Sequence, residues 1–292
     1  MKIGLFAPLG NPFSTPEYIS ILGREAEERG FHSIWVAEHV VLFDEYESKY
    51  PYAADGKIPA GGENGILEPF TALAYLAAVT EHIRLGTGIC LVPQRNPVYT
   101  AKEVSTVDWL SNGRVDFGVG VGWLKEEFDA CNVSFERRGD RCREYIEVMR
   151  RLWEDPVSEH HGEFYDMPAL RQYPKPIQQP YPPIHFGGES NAALKRVADI
   201  GQGWYPFDLD PDGLRSRLDD LDTLFAGNGR TRSDITVSIC PYRRPADLEL
   251  VRGYRDAGAD EVVLVMSARD AAGVTARIAE LAETILGPAR DL

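Results

Sequence analysis

The chain is predicted to fold as one α/β domain, a (β/α)8 or TIM barrel with insertions at the C-terminal face. Three observations predict it. Eight short apolar runs recur along 292 residues, and most are followed by a helical pattern. Strands alternating with helices of about ten to fifteen residues imply parallel sheet, and eight such units favour a closed barrel over an open one. The second run, Ser33–Glu38, starts apolar and breaks off in Glu38 and His39. In such a barrel the C-terminal strand ends form the catalytic face.

Lys2–Pro8 is the first strand, and it begins without the charged start and long apolar centre of a signal peptide. Ser14, Thr15 and Pro16 offer a hydroxyl cap and a first-turn proline to a helix that Gly30 closes. Strand two, Ser33–Glu38, is rich in Ile, Trp and Val. It leads into Val40–Leu67, which holds aromatic, acidic and glycine residues (Asp44, Glu45, Tyr46, Gly61 and Gly62) and would lie over the barrel mouth. Structureless stretches of that length are usually lids or binding loops. Phe70–Thr80 is Ala/Leu-rich with a three-to-four-residue repeat and reads as helix. Ile83–Val92 and Val115–Gly120 are strands three and four. Asp155–Pro182 carries Pro156, Pro168, Pro174, Pro176, Pro180 and Pro182, so it is an extended excursion and no helix. Strands five to eight are Pro183–Gly187, Gly203–Phe207, Ile235–Cys240 and Glu261–Val265. The helices after them, Asn191–Ile200, Pro211–Phe225, Leu248–Ala257 and Thr275–Ile285, end at Gly201, Gly227, Gly258 and Gly287. One domain over 1–292, with insertions at about 40–67 and 155–182, follows.

Composition narrows the function. The formal net charge of −14, from 45 acids against 31 bases, argues against nonspecific binding to nucleic acid or an anionic membrane. No apolar run approaches the ~18 residues that span a bilayer, so a cytoplasmic protein is expected. An anionic cofactor is compatible with the charge, because clustered backbone N–H groups bind phosphate locally. Cys90, Cys131, Cys142 and Cys240 show no metal-type spacing and read as free buried thiols. His160 and His161 are neighbours in extended chain, diverge, and read as surface or structural. No metal site is expected.

Four segments could carry chemistry. Glu38 and His39 point to opposite sides of a strand end, so only one faces the pocket squarely. His39 is the better acid–base candidate, while Glu38 could equally bridge to a neighbouring element. Gly187, Gly188, Glu189 and Ser190 run from a strand into a helix, an arrangement that cradles anions and that also describes an ordinary capped turn. Gly118, Gly120 and Gly122, followed by Trp123, leave one face of strand four without side chains, open to a flat ligand or to close packing. Gly86 and Gly88 within strand three suggest a bulge or a ligand's close approach.

These segments together resemble the luciferase-like monooxygenase superfamily, within it the branch of coenzyme F420-dependent oxidoreductases. The likeness spans nearly the whole chain. It rests on Ile34–His39, Leu85–Gly88, Gly120–Phe128, Pro182–Gly188 and Asp199–Trp204. The resemblance implies a (β/α)8 barrel, usually dimeric, that binds F420 or FMN in its mouth. It implies that Gly88 and Ile89 support the cofactor ring, sometimes through a cis peptide. Gly187, Gly188, Glu189 and Ser190 would then hold the phosphate, Gly120, Gly122 and Trp123 would line the site, and His39 would be the active-site histidine, with Glu38 beside it. The F420-dependent glucose-6-phosphate dehydrogenases are similar but carry an acid where this chain has Trp123, and a tryptophan near Phe43. Their proton donor is therefore absent, and His39 or a residue of Asp44–Tyr46 would handle the proton. The expectation is an F420-dependent oxidoreductase acting on a small organic substrate, with an FMN-dependent monooxygenase and a non-catalytic cofactor-binding protein as alternatives. The arginine excess, 24 against 7 lysines, leans the same way through its link to GC-rich genomes. Phe6, Phe43, Tyr46 and Trp204 are the expected aromatic lining of the substrate pocket.

Overall fold

The computed structural model describes residues 1–59 and 63–292; Gly61 and Gly62 of the long first loop lie outside the described residues. In chain order the strands are β1 (Lys2–Ala7), β2 (Ser33–Val36), β3 (Arg84–Thr87), β4 (Cys90–Leu91), β5 (Val115–Gly120), β6 (Ser158–His161), β7 (Asp166–Leu170), β8 (Ile184–Gly187), β9 (Gly203–Tyr205), β10 (Thr236–Ile239) and β11 (Glu261–Val265). Among the described residues, eight of them close a parallel ring in the order β1-β2-β3-β5-β8-β9-β10-β11, with β11 returning to β1. The predicted barrel is the observed one.

The helices are α1 (Pro16–Arg29), α2 (Pro69–Val79), α3 (Pro97–Leu110), α4 (Lys125–Ala130), α5 (Arg138–Glu154), α6 (Asn191–Ile200), α7 (Pro211–Ala226), α8 (Leu248–Ala257) and α9 (Ala271–Leu281). Thr15 caps α1 by accepting from the Tyr18 N–H, and Gly30 ends it at φ 89°. Three predicted boundaries shift. Strand three does not run through Ile83–Val92; it breaks at a cis Gly88–Ile89 peptide into β3 and β4. The Asp155–Pro182 excursion contains an antiparallel hairpin, β6–β7, because its prolines flank Ser158–His161 and Pro168 sits on a two-stranded edge. The last helix starts at Ala271, where Asp270 caps it, ahead of the predicted Thr275. Three of the expected buried cysteines are buried, whereas Cys131 is half exposed. His160 lies under Glu144 at 3.4 Å and His161 is at the surface.

Inside the ring, Trp35 is fully buried, its ring 4.6 Å from Tyr205 and 5.3 Å from His185. Its indole N–H donates to Ser33 Oγ at 2.8 Å, and Ser33 and Ser238 both donate to the buried Glu261 carboxylate. Gly86 leaves the room: a Cβ there would stand 2.3 Å from Trp35 Cε3. Trp35 thus plugs the barrel and forms the floor beneath its mouth.

A second buried charge sits between strands. Asp116 on β5 accepts two 2.6 Å bonds from Arg84 and faces His185 at 3.4 Å. Burial by itself would raise this carboxyl, but the nearby His185 ring and the Arg84 guanidinium outweigh it and hold it at about 2. In the unfolded chain it returns to about 3.9. Its contribution, on the order of 2.5 kcal/mol, is therefore complete above about pH 4 and disappears as pH falls toward 2. Unfolding titrations at stepped pH should show that loss in the wild type and not in Asp116→Asn; parallel acid profiles would refute it.

Candidate active site

A cavity of about 460 Å³ opens at the C-terminal ends of the strands. It falls within the size range of ligand pockets, at the face where barrel enzymes carry their chemistry. Of the residues singled out in the sequence, Glu38, His39, Gly88, Ile89, Gly120, Gly122, Trp123, Gly187, Gly188 and Ser190 all line it. Glu189 does not. Its carboxylate turns away, accepting from the Tyr52 hydroxyl at 3.1 Å and from the Phe207 N–H at 2.8 Å.

One wall is built around Ile89. A Cβ on Gly120 would lie 2.1 Å from Ile89 Cδ1, and one on Gly187 would lie 2.6 Å from the same atom. The bare backbone of these glycines is therefore covered by Ile89, and Ile89 is the apolar surface that the cavity meets. Behind it, a Cβ on Gly88 would approach the Tyr205 hydroxyl at 3.1 Å. Among the described residues that hydroxyl, buried beside Cys240, has no nitrogen or oxygen partner, a condition that is uncommon in folded proteins. The next turn is shaped by Gly188 at φ 93°, whose carbonyl accepts from the Trp204 indole at 3.0 Å. Ser190 caps α6, its Oγ accepting from the Ala193 N–H at 3.2 Å. Its own hydroxyl proton is still available to the cavity.

His39 also lines the cavity. Its Nδ1 lies 3.1 Å from Glu127 Oε2, and Glu127 is almost wholly buried. The other oxygen, Oε1, accepts from the Val40 N–H at 2.6 Å and weakly from Val41. An ionised carboxylate only accepts, so Nδ1 carries the proton in this pair and Nε2 is left as the reactive nitrogen. Trp123 packs edge-on against His39, the ring centroids 5.8 Å apart. Glu38, next in the chain, is committed elsewhere. It accepts from the Leu91 N–H and from Arg95 at 2.9 Å, and Arg95 also meets Glu68 at 2.7 Å. Burial nevertheless pushes the Glu38 carboxyl above the ordinary range, against the pull of Arg95. Of the two readings open for Glu38, the structure shows the bridge to a neighbouring element.

The loop after β2 closes over the mouth, and α4 pins it. Glu126 accepts from the backbone of Glu47 at 2.7 Å and of Ser48 at 3.2 Å, while the Lys125 N–H donates to Ser48 Oγ. Tyr50 and Tyr52 reach into the cavity from this loop and join Phe207 and Tyr242, with Tyr52–Phe207 and Phe207–Tyr242 centroids 4.9 and 4.5 Å apart. Of the four aromatics expected to line the pocket, Phe6 does so. Trp204 is core and supports the Gly188 turn, Tyr46 packs behind Trp123, and Phe43 is outside the lining. Asp44 and Glu45 are exposed and do not reach the cavity. Sequence reasoning missed Glu127, Tyr50, Tyr52, Tyr242 and Arg196. The only available signal for Glu127 was its place in the Lys125–Phe128 segment, because its partner lies 88 positions away.

Residues 1–283 match the luciferase-like monooxygenase family, and the chain belongs to it. An uncharacterized protein of Mycobacterium tuberculosis is 33% identical over 261 residues, covering 88% of this chain and 90% of that one. The oxygenase component of a flavin-dependent trigonelline monooxygenase from Acinetobacter baylyi is 34% identical over 161 residues, 54% of this chain and 39% of its own. Among solved structures, an F420-dependent secondary alcohol dehydrogenase superposes with a TM-score of 0.78 at 19% identity, covering 98% of both chains. The names of the proteins the chain is similar to include both a flavin-dependent and an F420-dependent enzyme.

Proposed function

We propose that the protein is a coenzyme F420-dependent oxidoreductase acting on a small, apolar organic substrate. The observation that carries the reading is that His39, its Nδ1 tied to Glu127, and Ile89 line the same cavity at the ends of neighbouring strands. The residues present fit a cofactor of this type: an apolar platform at Ile89, beneath it a Tyr205 hydroxyl with no nitrogen or oxygen partner among the described residues, and a turn at Gly188 and Ser190 suited to phosphate. When bound, the cofactor supplies hydride transfer. The chain's own part is to hold the ring on Ile89, to exclude water with the Tyr50–Tyr52 loop, and to donate or accept a proton at His39 Nε2. The aromatic wall of Tyr52, Phe207 and Tyr242 supports a flat or hydrophobic carbonyl or enone as substrate.

F420 is preferred over FMN because the Gly122–Phe128 segment resembles that branch. The name of the trigonelline relative favours a second reading, an FMN-dependent monooxygenase that consumes oxygen. Fluorescence titration of the purified protein with F420 and with FMN separates the two. Tight F420 binding with anaerobic turnover supports the first reading. Tight FMN binding with an oxygen requirement moves the assignment to the second, and binding of neither overturns both.

The reading includes a homodimer in the cytoplasm. The outer face of α3 supports the dimer: Tyr99, Trp109 and Leu110 are 73%, 56% and 61% exposed there, an apolar surface of a kind that marks interaction sites. Among the described residues no helix is long and apolar enough to cross a membrane.

A further inference from the structure

Tyr242 stands at the cavity in a backbone conformation that bulky residues rarely adopt. Its φ is 44°, and among the described residues it is the one aromatic side chain at positive φ. Such outliers persist where the surrounding structure over-determines them, and they cluster at ligand sites. The determinant in this case is the end of the neighbouring strand. Beyond β9 and β10 the pairing continues: the Cys240 N–H donates to the Pro206 carbonyl at 3.0 Å, and the Asp208 N–H to the Cys240 carbonyl at 2.9 Å. Asp208 is itself left-handed, at φ 59°. Its carboxylate, 10% exposed, accepts from the Arg243 guanidinium at 3.0 Å and from the Arg243 N–H at 3.4 Å, while its carbonyl accepts from Arg244 at 3.2 Å. Both residues after Tyr242 are thus tied to Asp208. The turn closes with the Arg244 N–H on the Pro241 carbonyl.

This bracket fixes where the Tyr242 ring goes. Its centroid lies 4.5 Å from that of Phe207 and 6.4 Å from that of Tyr52, in the cavity lining. Of the three tyrosines on this wall, Tyr52 gives its hydroxyl proton to Glu189 at 3.1 Å. The Tyr50 and Tyr242 hydroxyls interact with each other. Such a pair carries two protons, of which at most one is used between them. Burial, with Tyr242 beside it, holds Tyr50 far above its ordinary range, so Tyr50 stays a donor. A largely aromatic wall therefore presents one hydroxyl proton, the kind of sparse polar group that orients a ligand in an apolar pocket.

We propose that Tyr242, with Tyr50 beside it, donates a hydrogen bond to an acceptor oxygen of the substrate, and that Asp208 is the positioning residue that holds Tyr242 there. This deepens the reading above and rests on it for the cavity being the substrate site. The class of substrate that fits is a flat carbonyl compound, its ring against Phe207 and its oxygen on the tyrosine pair.

The test uses two probes of nearly the same shape, acetophenone and α-methylstyrene, which differ in having a carbonyl oxygen or a methylene group. Their dissociation constants are measured by saturation-transfer NMR on wild type, Tyr242→Phe, Asp208→Ala and Asp208→Asn. Tyr242→Phe is expected to weaken acetophenone by roughly threefold to tenfold and to leave α-methylstyrene unchanged. Asp208→Ala should show the same pattern. Asp208→Asn should restore acetophenone binding, because its amide oxygen still accepts from the Arg243 N–H and Asn tolerates the left-handed backbone. Equal weakening of both probes in Tyr242→Phe or Asp208→Ala would show a merely structural role and overturn the proposal. So would acetophenone binding to Tyr242→Phe as to wild type, or a wild type that binds neither probe. Repeating the titrations with F420 or FMN at saturation separates the two readings. The pattern without cofactor binding overturns the cofactor and keeps the oxygen site, and cofactor binding without the pattern does the reverse.

Discussion

Glu127→Gln is expected to lower kcat by about a hundredfold while leaving cofactor affinity near wild type, within the range of general acid–base effects. The Val40 N–H holds one side-chain oxygen of Glu127, so the amide nitrogen of the variant turns toward His39 Nδ1. A donor now faces a donor. The imidazole then keeps its proton on Nε2, and the nitrogen facing the cavity loses its free lone pair. His39→Ala should cost at least as much, and combining the two should add little, because both act through one proton. Steady-state kinetics on the best substrate found, with pH–rate profiles, provides the check. A Glu127→Gln enzyme with wild-type kcat and an unshifted profile would show that Glu127 only fastens the loop.

The largest expected stability effect belongs to Arg95. Arg95→Met leaves the carboxylate of Glu38 buried without its cation and removes the shared partner of Glu68 and Glu103. Breaking a buried pair from one side costs about 3–5 kcal/mol. In a protein of this size that corresponds to a melting point lower by roughly 10 °C. Glu38→Gln should cost less, because the amide still accepts from the Leu91 N–H. Calorimetry of both variants tests this, and a melting point for Arg95→Met close to wild type would mean that Glu38 is protonated in the folded protein. The two predictions assign adjacent residues to different work: His39 to chemistry, and Glu38 to bracing the β4 end of the platform that carries Ile89.

The barrel was legible because its signals are local. Alternation of apolar runs with helical periodicity, hydroxyl caps such as Thr15 and helix stops such as Gly30 are written within a few residues of where they act. The break at Gly88, the turn at Gly188 and the ionisable end of strand two were legible for the same reason. The glycines of strand four were read as open to a flat ligand or to close strand–helix packing, and the sequence left open which. Only the fold shows that Ile89 fills the space above Gly120 and Gly187.

The sequence by itself determined the fold class, the barrel face at which the cavity opens and the glycine-bounded segments that line part of it. Tertiary structure alone decided which groups are paired. The Glu127–His39 bond and the Arg95 bridge to Glu38 depend on residues far apart in the chain that barrel closure brings together. Hydrogen bonds and ion pairs form over a few ångströms of space, so an ionisable side chain acquires its role only when its neighbours are in place.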